Sequence, residues 1–284
     1  MAGTDRVGRS EGARALPAAR LRPYLASYDG YRMAGFEAGT HIGMPSPRLT
    51  VILAIDSKVE IVSSPRQGAC AFETLASGIS VAPVTIAHDG NQHGIQLSFT
   101  PAGARALFGI PAAALGDWMV DLSDVLPDAK ELVDRVADRS DWNSRFDIVD
   151  EILCRSLREQ DVDPQLSEAW SRLVDAGGSA RVGDVAREVG WSRRHLINRF
   201  TAEFGVTPKD SARIARFDRS HQLLRRIEMP RLSDVAARCG YYDQAHMARD
   251  WRDLAGASPS RWRREEKFAF VQDADEEPEH NSVP

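Results

Sequence analysis

The chain has 284 residues, 43% hydrophobic and 27% charged, with a formal charge of −5; that is length for two domains and the composition of a folded globular protein, which excludes a disordered or collagen-like chain. No apolar run approaches the ~18 residues that span a bilayer, and the opening residues lack the apolar core of a signal peptide. Three separated cysteines, Cys70, Cys154 and Cys239, fit no disulfide framework and point to a reducing cytoplasm. In chain order, residues 1–15 are predicted to be disordered. Short β-type runs follow at 49–55, 59–62, 79–86 and 95–99, punctuated by Gly, Asn, Pro and Ser. They predict an antiparallel sheet, barrel-like or open. Thr100-Pro101 then opens a helix, with Thr as N-cap and Pro at the first helical position. Further helices are predicted over 122–137 and 143–158, the latter with Phe146, Val149, Ile152, Leu153 and Leu157 on one stripe.

The net charge speaks against a nucleic-acid binder until the chain is divided. From Leu166 to Arg264 there are 19 Lys+Arg against 12 Asp+Glu, while the rest of the chain holds 17 against 29. A basic module therefore sits within an acidic chain.

That basic stretch contains one pattern twice. Val185-Ala186, Gly190-Trp191, Leu196, Phe200, Gly205 and Pro208 return as Val235-Ala236, Gly240-Tyr241, Met247, Trp251, Gly256 and Pro259. The offset is 50 at Ala236 and 51 at Trp251, so one residue is inserted between the repeated Gly and the next helix. Each copy reads as a helix, a glycine turn and a second helix capped by Ser192 or Asp243. In the first copy Leu196, Phe200 and Phe204 face inward. The outer face carries Arg194, Asn198 and Thr201, flanked by His195 and Ile197. Arg suits guanine and Asn suits adenine in the major groove. Ser192, Arg193 and Arg199 are placed for phosphates, which supply affinity without sequence choice. In the second copy Gln244, Ala245, His246 and Arg249 are the base-contact candidates and Arg252 a phosphate contact. Between the copies, 208–228 is predicted as a long connecting helix, bearing Arg213, Arg216 and Arg219 and ended by Met229-Pro230.

Residues 182–264 resemble the DNA-binding domain of the AraC/XylS family of bacterial transcription regulators. The resemblance is carried by Val185-Ala186-Arg187-Glu188-Val189-Gly190-Trp191-Ser192, by Gly205-Val206-Thr207-Pro208, by Leu232-Ser233-Asp234-Val235-Ala236 with Gly240-Tyr241, and by the closing Gly256 to Arg264. Trp251, Trp262 and Met247 depart from the family's usual aromatic or aliphatic choices but stay apolar. Ile197 and Ala245 stand where relatives often carry polar base readers. More weakly, the stretch 94–111 is similar to one in the regulatory domains of such proteins. The resemblance implies double-stranded DNA as partner, with RNA polymerase, a small-molecule effector and a homodimer as further expectations, no cofactor, and a cytoplasmic, nucleoid-associated location.

The expected architecture is α+β: a disordered start (1–15), a β-rich regulatory domain with helices (16–160), a linker and first helix (161–181), an all-α tandem helix-turn-helix domain (182–264) and an acidic disordered tail (265–284). The striped helix 143–158 is the expected dimer surface unless its own sheet covers the stripe. The alternative reading is a metal-dependent enzyme or sensor tethered to DNA, suggested by His41, His88 and His93. No metal site is assigned, since His88 and His93 lie in a Gly/Asn loop. No triad frame is recognisable among the Ser, His and Asp residues, so no catalytic residue is assigned and no enzyme is expected.

Overall fold

The computed structural model describes residues 8–158, 160–225 and 230–265. The amino-terminal domain opposes two antiparallel sheets. The larger has the order β1-β2-β9-β4-β7-β10 and the smaller the order β3-β8-β5-β6. These strands are β1 (Arg9–Ala15), β2 (Leu25–Ala34), β3 (Gly39–Gly43), β4 (Leu49–Ala54), β5 (Val59–Ser63), β6 (Cys70–Phe72), β7 (Thr74–Ser77), β8 (Val84–His88), β9 (Gln92–Phe99) and β10 (Met119–Val120).

The central strand β4 explains why its sequence reads as an unbroken apolar run. Successive side chains point to opposite faces of a strand. Val51 and Leu53 join the core beneath the helices, whereas Ile52 and Ala54 join a second core with Val59, Ile61, Leu75 and Ile86 between the sheets. With both faces covered, alternation disappears.

Three helices close the helix-side face. Helix α1 (Pro101–Gly103) runs on as a π-turn over Ala104–Phe108. Thr100 caps it, and Gly109, at φ 73°, stops it. Helix α2 is Ala129–Ala137 and α3 is Trp142–Ser156. The single helix expected over 122–137 is broken. Leu122–Asp124 is a 3₁₀ turn, and Pro127, lacking an N–H and disfavouring α conformation before it, separates that turn from α2.

Two expectations for this half are corrected. Residues 9–15 are not disordered: they pair with β2 along their whole length, from Arg9 opposite Ala34 to Ala15 opposite Tyr28. Their side chains are mostly exposed, so backbone hydrogen bonding rather than burial holds the strand, and no apolar pattern announced it. Residues 1–7 lie outside the described residues. The stripe of α3 is also not a free dimer surface. Phe146, Val149, Ile152 and Leu153 are all buried in the domain's own core. Facing outward, Arg135 pairs with Glu131 and Glu151, and Arg155 with Glu131. Exposed pairs of this kind contribute little stability, but they leave a charged surface in place of an apolar one.

The three histidines offered as metal ligands part company. The His41 and His88 rings lie 5.7 Å apart, while His93 belongs to the larger sheet and hydrogen-bonds Asp56 and Arg145. Among the described residues no group of three His, Cys, Asp or Glu is placed to hold a metal ion. Among them, too, no helix is long and apolar enough to cross a membrane.

Helix α4 (Pro164–Trp170), capped by Asp163 and continued as a π-turn to Asp175, leads into the carboxy-terminal module. There α5 (Val182–Glu188), α6 (Arg193–Phe204), α7 (Pro208–Leu224), α8 (Leu232–Arg238), α9 (Gln244–Ala255) and α10 (Pro259–Glu265) follow. The acidic tail expected from 265 onward and the end of the long helix at 226–228 fall on residues outside the description, except Glu265, which ends α10.

Candidate nucleic-acid interface

The repeated sequence folds into a repeated hydrogen-bond pattern. In the first unit the Trp191 amide donates to the Ala186 carbonyl (2.8 Å), and in the second Tyr241 donates to Ala236 (3.0 Å). Gly190 and Gly240 turn the chain at φ 79° and 75°, a left-handed conformation cheap only for glycine. Ser192 then accepts from the His195 amide, and Asp243 from the His246 amide. Each second helix ends at another left-handed glycine, Gly205 or Gly256.

The inward faces are as the periodicity predicts. Leu196, Phe200, Met247 and Trp251 are fully buried. Trp170 of α4 stacks on Phe200 at 5.7 Å, so α4 belongs to this module. The connector α7 carries the second unit: Arg213 donates to Asp250 (2.7 Å) and Asp253 (2.5 Å) of α9, and Arg216 donates to the Gly178 carbonyl. Those two arginines serve the fold.

The outward faces place the candidate readers in solvent. Arg193, Arg194 and Asn198 on α6, and Gln244, Ala245, Arg249 and Arg252 on α9, are exposed, as is the capping Ser192. Ile197 and His246 are half-buried. Among the described residues Arg193, Arg194, Arg249 and Arg252 make no side-chain ion pair, so their guanidinium groups are available to an anion. Arg199 is placed differently: it reaches Asp163 (3.3 Å) and lies 6.0 Å from the Trp191 ring. His246 accepts the Tyr242 amide through Nδ1, which turns its ring towards the protein.

Three features lay outside the sequence reading. Tyr242, the inserted residue of the second unit, is 94% exposed beside the start of α9. Arg105 of the amino-terminal domain forks onto Glu203 of α6. The inserted position was visible in the repeat, and so was an acid on the apolar face of α6; the partner, ninety-eight positions away, was not. Third, a chamber of about 130 Å³ lies between the two sheets, walled by Met44, Ile52, Leu75 and Ile86, with Tyr31, His41, Thr50 and Gln96 among its polar groups. Arg48 lines both this chamber and a polar cleft of about 590 Å³ between the domains.

His221 is buried at the heart of the module. Its ring lies 6.1 Å from Phe217 and 4.8 Å from Trp262, and burial pushes its pKa down to about 3. An ordinary imidazole titrates near 6.5. The unfolded chain therefore takes up this proton between pH 6.5 and 3 while the folded chain refuses it. Its contribution is complete above pH 6.5 and is lost as pH falls towards 3, by up to roughly 1 kcal/mol per pH unit. His221→Phe is expected to flatten the fall in urea-denaturation stability between pH 6.5 and 4. His41, also pushed down to about 3, keeps its own slope, and Asp218, raised to about 6, opposes it. An unchanged wild-type-minus-variant difference across that range would refute this assignment.

Residues 185–265 match the family model described as "Helix-turn-helix domain". The chain is 33% identical over 66 residues to the HTH-type transcriptional regulator YbfI of Bacillus subtilis, covering 23% of each protein. It is 29% identical over 109 residues to the HTH-type transcriptional regulator Rv1931c of Mycobacterium tuberculosis, covering 38% of this chain and 41% of that one. The chain thus spans less than half the length of these curated relatives. A crystal structure of an apo ToxT variant from Vibrio cholerae superposes with a TM-score of 0.50 at 13% identity, over 83% of this chain and 96% of that one. At that identity the likeness concerns the two-domain fold alone. By its repeated units and its matched stretch, the carboxy-terminal module is a helix-turn-helix domain of the AraC type.

Proposed function

We propose that this protein is a sequence-specific DNA-binding transcription regulator whose helices α6 and α9 read two adjacent major-groove segments. The observation that carries the reading is the duplicated unit with free arginines on both outward faces. Arg194 and Asn198 on α6, and Gln244, Ala245 and Arg249 on α9, face the base edges; Ile197 offers apolar contact and His246 lines the groove flank. Ser192, Arg193 and Arg252 meet phosphates, and Arg199 joins them when it leaves Asp163. Successive windows on one face of a duplex are about 34 Å apart. A single protomer thus spans an asymmetric site, with DNA bending where its own spacing is shorter.

Arg249→Ala is expected to weaken binding to the selected site by about 1–3 kcal/mol and to relax one base preference. Selection of bound duplexes from random DNA, followed by titration of the variant, reads both effects. An equal loss on random DNA would reduce Arg249 to a phosphate contact. Failure of the wild type to enrich any sequence would overturn the function itself.

The amino-terminal domain supplies regulation in this reading. A cavity of about 150 Å³ admits a single ring-sized molecule, and the chamber between the sheets is of that order. An effector seated there lies beside Arg48 and the interdomain cleft. Repeating the selection with a metabolite library tests this arm. Contact with RNA polymerase, a homodimeric state and a nucleoid-associated cytoplasmic location complete the proposal, and the function requires no enzymatic step.

A further inference from the structure

We propose that the amino-terminal domain takes part in DNA reading itself: Arg105 and Glu203 are positioning residues that aim the first reading helix, α6, and leave α9 to the connector. This rests on the DNA-reading function above.

The two units differ at one repeated position. At the offset of the second helices, Glu203 of α6 corresponds to Leu254 of α9, and Leu254 is fully buried. A carboxylate on a core face is costly unless it is paired and hydrogen-bonded. The partner comes from the other domain. Arg105 Nε donates to Oε1 of Glu203 and Nη2 donates to Oε2, both at 2.7 Å. The Glu203 side chain is 9% exposed and that of Arg105 31%, so water screens the pair weakly. A two-bond fork between planar groups also restricts rotation, which a single contact does not.

A second contact fixes the same helix end. A Cβ added at Gly205 would meet the Ala113 backbone at 3.0 Å, whereas one added at the equivalent Gly256 would meet nothing within 4 Å. Backbone therefore approaches backbone in the first unit only. Among the described residues no hydrogen bond or ion pair joins α8 or α9 to the amino-terminal domain; Arg213 of α7 holds α9 instead.

The clasp has a direct mechanical origin in the regulatory domain. Strand β9 lines the chamber and the cleft through Gln96 and passes through Thr100 into the turn bearing Arg105. A change in β9 has this direct route to α6, whereas the connector α7, which holds α9, meets β9 only across the cleft.

The test uses the full chain and selection from random duplexes. Arg194→Ala marks the half of the site read by α6, and Arg249→Ala the half read by α9. Arg105→Gln and Glu203→Gln are expected to lose discrimination about fivefold or more in the α6 half, the lower range for coupled sites, and to leave the α9 half unchanged. Combining Arg105→Glu with Glu203→Arg is expected to restore part of that discrimination. Thermal melting alongside separates aiming from stability. Equal loss in both halves together with a lowered melting temperature would reduce the pair to a structural contact and overturn the proposal. So would a two-part site that ignores both substitutions. A wild type that selects no site would fail the DNA-reading function and this proposal with it.

Discussion

Trp251→Ala is expected to destabilise the carboxy-terminal module by about 3–5 kcal/mol, the range for emptying a large aromatic site in a packed core. Trp251 is fully buried. Its ring lies 4.9 Å from Phe217, 5.4 Å from Trp262 and 6.0 Å from His221, so it joins α9, α7 and α10. Its indole Nε1 donates to the Ser220 hydroxyl at 2.8 Å, and that hydroxyl donates on to the Phe217 carbonyl. Alanine removes the ring and leaves Ser220 with an unmet acceptor. Because α9 sits on α7 through this ring, binding to the second half of the DNA site is expected to fall with stability. Trp251→Phe, which keeps most of the volume and loses only the donor, is expected to cost less than half as much. Urea denaturation of the full chain checks both variants. A loss below about 1.5 kcal/mol for alanine would mean that the site collapses around the hole and that the ring is not what holds α9.

The second large effect lies at the regulatory domain's edge. Arg145 of α3 is 5% exposed. Its Nε donates to the carbonyls of Arg139 (2.9 Å) and Val136 (3.3 Å) at the end of α2, and its guanidinium lies 4.8 Å from the Trp142 ring centre. Its Nη1 meets His93 Nε2 at 2.8 Å. A guanidinium only donates, so Nε2 is the acceptor and Nδ1–H points to Asp56, 2.5 Å away. The chain Asp56–His93–Arg145 thus fixes a neutral imidazole, and burial, the largest influence, pushes the His93 pKa down. Arg145→Met keeps the bulk and removes every donor. It is expected to cost about 3 kcal/mol or more, since each orphaned buried acceptor costs ~1–3 kcal/mol. Arg145→Lys, which retains charge but not the fork, is expected to recover part of that loss. Urea denaturation of the full chain, with hydrogen exchange at the α2 and α3 amides to assign the loss to this domain, reads the effect. A methionine variant of wild-type stability would show that water replaces the guanidinium at no cost.

The DNA module was legible because its determinants are local and occur twice. Glycine at a left-handed turn, a Ser or Asp cap, and apolar residues at helical spacing act within a few residues of one another. The exposure of Arg194, Asn198, Gln244 and Arg249 follows from the same periodicity, since burying Leu196, Phe200, Met247 and Trp251 turns the opposite face outward. Arg199 shows the limit of that reasoning. Its helical position predicts an outward side chain, but Asp163, thirty-six positions earlier, decides what it meets. In the regulatory domain β4 was legible as a strand but its two-sided burial was not, because apolar runs do not say which neighbours cover each face.

Residue order by itself determined two helix-turn-helix units, a basic module in an acidic chain and a β-rich domain ahead of it. Those properties arise from backbone preference and from side-chain spacing along a single element. Tertiary structure alone decided that β1 is a strand, because an exposed edge is held by its neighbour's backbone and leaves no apolar pattern. It alone turned the stripe of α3 inward and brought Arg105 to Glu203 across the domain boundary. Such contacts depend on how separate elements pack in space, where sequence distance carries no information about which charge will neutralise a buried one.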